Sequence, residues 1–125
     1  MAAIRNRDYA LLIARLVFGG LMITHGWPKF MKIINSDWGF ADPLGIGAAP
    51  SLILTVFAEL FCAVGLVLGW KTRLCAIPLI FTMLVAALIV HGSDPLADKE
   101  HALLFLGGFA VLAFMGAGRL SIDRK

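Results

Sequence analysis

Four long apolar runs make up most of this chain, and the gaps between them are too short to hold a separate core. The runs extend from about Tyr9 to Met31, Ser51 to Trp70, Leu74 to Val90 and His101 to Ala117. At ~1.5 Å per helical residue, each crosses or nearly crosses a ~30 Å hydrocarbon layer. A soluble bundle of greasy helices needs polar outer faces, and these runs carry almost none. Composition agrees: 60% of the 125 residues are hydrophobic, only 15% are charged, and the mean hydropathy is +0.89. A small soluble domain exposes too much of its chain for that balance. The expected fold is therefore all-α, an integral membrane four-helix bundle forming a single domain over residues 1–125.

The gaps set the topology. "KTR", Lys71 to Arg73, is a tight turn that pairs the second and third runs as antiparallel neighbours. "HGSDPLADKE", His91 to Glu100, carries a turn signal at Asp94-Pro95. The longest gap, Lys32 to Pro50, is rich in Gly, Pro and Asp and is expected to fold back over the bundle as a lid, with Trp38 and Phe40 at the interface. Arg5 and Arg7 precede an apolar run as in a signal peptide. No small-residue cleavage site follows "THGWPKF", so the run reads as a retained span. Outside the runs, Arg5, Arg7, Lys71, Arg73, Arg119, Arg124 and Lys125 fall on one side; Lys29, Lys32 and Lys99 fall on the other. That asymmetry puts both termini in the cytoplasm. Gly65/Gly69, Gly107-Gly108 and Gly116/Gly118 suit close helix packing.

Several function classes drop out. The net charge of +3 is spread through the gaps with no basic stripe, so nucleic acid is not an expected partner. Cys62 and Cys75 have no C-x-x-C spacing and sit within or beside apolar runs, where free cysteines pack. The three histidines fall in no metal or haem motif, so neither group is expected.

The ionisable residues inside the runs carry the functional signal, because a charge at the centre of a span costs ~2.5–3.5 kcal/mol and needs a partner or water. At 100° per residue, Arg15, Met22, His25 and Lys29 lie at about 0°, −20°, −80° and −40°, forming one inward stripe. Pro28 and Gly26 weaken the helix beside His25, so the first helix is expected to kink or end there. Lys29 either joins that stripe or snorkels to the outer interface. Glu59, mid-way along the second run, stays protonated or pairs across helices, with Arg15 and His25 both in reach by depth. His91, Glu100 and His101 fall toward the same outer end. The candidate binding set is His25, Lys29, Glu59, Glu100, His101 and Arg15; no catalytic residue is assigned.

The stretches "ARLVFGGLMITHGWPKF", "FAELFCAVGLVLGWKTRLCA" and "KEHALLFLGGFAVLAFMGAGRLSID" together resemble the DoxX family of small bacterial membrane proteins. Arg15, His25-Gly26, Lys29, Glu59, Glu100 and the closing "GAGRLSID" occur in that family's order, over nearly the whole chain. The resemblance implies a multi-pass protein of the bacterial inner membrane. The family takes its name from a relative of the membrane subunit of a thiosulfate–quinone oxidoreductase, so it also implies a quinone-linked redox role with quinone as cofactor. His25, Lys29, Glu59 and His101 would then face the head group, flanked by Trp27, Phe30, Trp38 and Phe57. The chain has no electron carrier of its own, which calls for a redox partner protein, and a homo-oligomer surrounded by lipid is the other assembly expected. Two readings stand beside it: a transport or binding module for a proton or small solute, and a non-catalytic membrane scaffold.

Overall fold

The computed structural model describes residues 3–124; Lys125, one of the basic residues counted for orientation, lies outside them. Four helices follow one another: α1 (Asn6–Ile34), α2 (Ala48–Leu68), α3 (Thr72–Val90) and α4 (Leu96–Met115). No strand occurs among the described residues. α1 neighbours α2 and α4, and α3 neighbours the same two, so the helices stand in a ring in up-down order. The first three are long and apolar enough to cross a membrane. α4 has the length, but Asp98, Lys99 and Glu100 open it.

Local chemistry explains where the helices stop. α2 ends at Leu68, short of Trp70, because Gly69 turns left-handed at φ 69° and lets Trp70 N–H reach the Gly65 carbonyl at 2.8 Å. α4 begins at Leu96, five residues before its apolar run, since Pro95 supplies the start and polar residues tolerate a first turn. It stops at Met115 rather than Ala117, where Gly116 takes φ 81°. α1 does not end at Pro28. It continues to Ile34, losing only the hydrogen bond that Pro28 cannot donate.

Three helices widen into π turns: α1 at Arg15–Gly19, α2 at Phe57–Cys62 and α3 at Ala86–Val90. Such a turn inserts a residue into the helical register. Arg15 and Glu59, the two most deeply buried ionisable groups of the apolar runs, both sit on one.

The core is apolar and tightly interlocked. Leu66, Leu79, Phe109 and Leu112 are fully buried, and the Phe18 ring lies so close to Gly108 that a Cβ there would meet it at 2.6 Å. Gly65 similarly receives Cys75 Sγ from α3, whereas Gly107 faces open space. Cys62 and Cys75 are buried and free, as packing residues are. The outer surface is apolar too, with Phe114 84% and Leu88 66% exposed. Exposure on that scale is what lipid, not water, stabilises.

The tail after α4 ties one end of the bundle together. Asp8, buried near the start of α1, accepts N–H groups from Arg5 at 2.8 Å and Arg119 at 3.0 Å. Asp123 accepts the Lys71 and Thr72 N–H groups at 2.8 and 2.9 Å, capping the otherwise open start of α3. Ile122 and Asp123 donate in turn to the Leu68 and Gly69 carbonyls that close α2. The start of α1, the tail through Asp123 and the 69–71 turn therefore share one end. Asp123→Ala is expected to lower stability in detergent by ~1–2 kcal/mol, the scale of a lost helix cap. Asp123→Asn keeps one of the two acceptor oxygens and should recover only part of that loss, and thermal unfolding of the three proteins measures it.

Candidate functional site

Two glycine-poor helices could not approach as α1 and α2 do. A Cβ on Gly26 would lie 2.6 Å from the backbone carbonyl of Glu59, so only hydrogen fits there. One turn further along α1, Lys29 bends inward and its Nζ donates to Glu59 Oε1 at 2.6 Å. The Glu59 side chain is 5% exposed and that of Lys29 30%, so the carboxylate is the deeper partner. An unpaired buried ion suffers a penalty of several kcal/mol, which makes this contact the one that permits a charged Glu59 at this depth. Neither Arg15 nor His25 is the ion-pair partner, and Lys29 turns inward instead of snorkelling.

Two cavities meet at this pair. The smaller, about 160 Å³, is lined by His25, Lys29, Glu59, His91, Asp98 and His101. Across it, His25 Nε2 of α1 and His101 Nε2 of α4 stand 3.1 Å apart, with Phe105 against both rings. His91 contacts Asp94 Oδ2 through Nδ1 at 2.8 Å. The larger cavity, about 510 Å³, lies between α2, α3 and the loop after α1. Its walls are mostly apolar, with Phe40, Leu44, Phe57, Phe81 and Val85, and Lys29, Glu59 and His91 face it as well.

The loop behaves as a lid over the larger cavity because Asp42 fastens it. Its carboxylate accepts from Gly47 N–H at 2.8 Å, Ile46 N–H at 2.9 Å and Ser51 Oγ at 3.0 Å. The Gly47 hydrogen bond contributes most to holding that carboxyl below its usual range, against partial desolvation.

Four of the six expected residues, His25, Lys29, Glu59 and His101, meet at the loop end. Arg15 does not join them. It is buried at the opposite end, where it donates to the Leu120 carbonyl, lies against Gly69 and feels the charge of Asp123. Glu100 does not join them either. Turning His101 toward α1 rotates its neighbour by ~100°, and Glu100 lies exposed beside Leu96, Leu103 and Leu104. Of the expected aromatics only Phe57 lines a cavity wall; Phe30 packs with Trp27 and Phe61 instead. His91 and Asp98 are absent from the expected set yet line the chamber. The spacing of Asp98 and His101, one turn apart on α4, was the available signal.

The DoxX family profile matches residues 10–92. This chain belongs to the DoxX family. Inner membrane protein YqjF of Escherichia coli is 28% identical over 94% of this chain and 92% of its own length. A Haemophilus influenzae protein is 32% identical over 97% and 93%. Inner membrane protein YphA of Escherichia coli is 31% identical over 95% and 91%. No solved structure matches. This DoxX chain is a multi-pass inner-membrane protein, as its helices and the names of YqjF and YphA agree, and the Lys29–Glu59 pair falls inside the stretch that the family profile covers.

The unequal burial of the pair gives an unequal response to mutation. Lys29→Met strands the buried carboxylate and is expected to cost ~2–3 kcal/mol, whereas Glu59→Gln leaves a lysine that can still reach water and costs less. The double variant should lie close to Glu59→Gln, a coupling of ~1–3 kcal/mol. Unfolding in detergent measures all four proteins, and additive losses would contradict the pairing.

Proposed function

We propose that this protein is a membrane subunit of a quinone-linked redox system, holding a quinone head group in the larger cavity against the Lys29–Glu59 pair. The observation that carries the reading is the placement of one charged, hydrogen-bonding pair at the wall of an otherwise apolar cavity of about 510 Å³. That volume lies in the range of small-molecule and cofactor sites. The residues fit the group: Lys29 has ammonium donors beyond the one given to Glu59, and Phe40, Phe57 and Phe81 offer apolar surface to a ring and its tail.

A bound quinone supplies two-electron, two-proton redox chemistry. The chain's own part is binding and proton handling. Lys29 donates a hydrogen bond toward a carbonyl oxygen, Glu59 fixes the Lys29 ammonium and exchanges a proton with it, and His91 lies on the same wall. The electrons come from a reduced partner of the flavoprotein class. The excess of arginine and lysine at the shared end of the termini supports a cytoplasmic position for it, with both cavities toward the outer face. The contiguous titratable groups of the smaller chamber favour a second reading, passage of a proton or small solute, which vesicle flux abolished by Glu59→Gln would support.

Titration of the purified protein with a short-chain quinone, followed by tryptophan fluorescence, tests the first reading. Lys29→Met and Glu59→Gln should each weaken binding about tenfold or more, the value of one lost charge-assisted hydrogen bond. Glu100→Gln should bind as the parent does. Unchanged affinity in Lys29→Met would overturn the assignment.

A further inference from the structure

We propose that His25 and His101 form the centre of a copper(I) site, completed by the thioether sulfurs of Met22 and Met83 in the smaller chamber. This inference is independent of any quinone in the larger cavity. It starts from the geometry of the two rings. A straight Nε2–H···Nε2 hydrogen bond of 3.1 Å would set the ring centres roughly 5.4 Å apart. They are 4.7 Å apart and inclined at 69°. At least one Nε2 vector is thus turned off the line joining them, so the contact is a bent hydrogen bond that leaves room for another occupant between the nitrogens. Two imidazoles sharing one ion at ~2.0–2.1 Å have their nitrogens roughly 3.0–3.4 Å apart, and the observed separation falls there.

The remaining surroundings select the ion. Among the described residues no three His, Cys, Asp or Glu side chains come together as a metal set. A hard or borderline ion such as magnesium or zinc therefore lacks its usual ligands. Met22 and Met83, 1% and 5% exposed, line the same chamber from α1 and α3. Imidazole with thioether is a donor set for copper(I), the soft member of the first-row ions. Phe105 packs against both imidazoles and gives the site an apolar floor. Both histidines keep exposed edges, so an ion has a way in from the loop end while the sulfurs stay dry. No spacing in the chain announces the site, because the two imidazoles are 76 residues apart on different helices.

The test uses the full chain in detergent with Cys62→Ser and Cys75→Ser, which removes competing thiols. Copper(I) is titrated anaerobically against the chromophoric chelator bicinchoninate. One copper(I) per chain is expected, held at least tenfold more weakly in His101→Ala and in the Met22→Leu, Met83→Leu double variant. That double variant nearly conserves volume, so it reads the sulfurs in a folded protein even if His101→Ala fails to fold. X-ray absorption of the copper-loaded parent should show nitrogen and sulfur scatterers together. Phe81→Ala, on the wall of the larger cavity and not of the smaller one, should weaken quinone binding while copper is retained, which separates the two sites. No copper(I) withheld from the chelator, an unchanged affinity in the methionine double variant, or a shell without sulfur would each overturn the proposal and leave an ordinary histidine pair.

Discussion

An ion pair inside an apolar bundle is stable only where the backbone geometry delivers both partners at once, and Lys29–Glu59 is such a case. Gly26 removes the side chain that would separate α1 from α2, and the π turn of α2 carries Glu59 to the point of contact. Lys29 then supplies the opposite charge that a buried carboxylate needs as a partner. The same pair lies on the walls of both cavities. Packing of two helices, charge balance and the division of the internal space thus depend on one contact of 2.6 Å.

The other end of the molecule solves a different problem with the same economy of charge. Arg15 is fully buried, and the tail answers it with the Leu120 carbonyl and the nearby Asp123. Asp123 simultaneously caps α3, so the carboxylate that balances a buried cation also satisfies orphan backbone donors. At the terminal end the tail is hydrogen-bonded to the helix ends, while Arg15 Nε and Nη1 stay buried without a hydrogen-bond partner. The loop end is where cavities, histidines and access coincide. This polarity is why the binding function is assigned to the loop end.

Much of this was legible in the chain. Apolar run length and the absence of polar faces specify helices in lipid, and the cost of intramembrane charge picks out Arg15, Lys29 and Glu59. Pairing was less legible. Counting depth along straight helices brought Arg15 and His25 within reach of Glu59, but α1 and α2 each contain a π turn that breaks the 100° count. Glu100 and His101 are adjacent in sequence, but adjacency on a helix places neighbours on different faces. Asp98 was hidden for the opposite reason, since a polar gap masked the first turns of α4. Helix ends, in contrast, obeyed glycine and proline chemistry that run lengths ignore.

Lys29 points into the bundle and pairs with Glu59, and the lipid-embedded protein should keep that pair. Solid-state NMR of the protein in bilayers, with dipolar recoupling between Lys29 ¹⁵Nζ and Glu59 ¹³Cδ, measures this directly. A separation within about 4 Å is expected, as a salt bridge requires. A lysine signal without that coupling, in contact with headgroups and water, would contradict it.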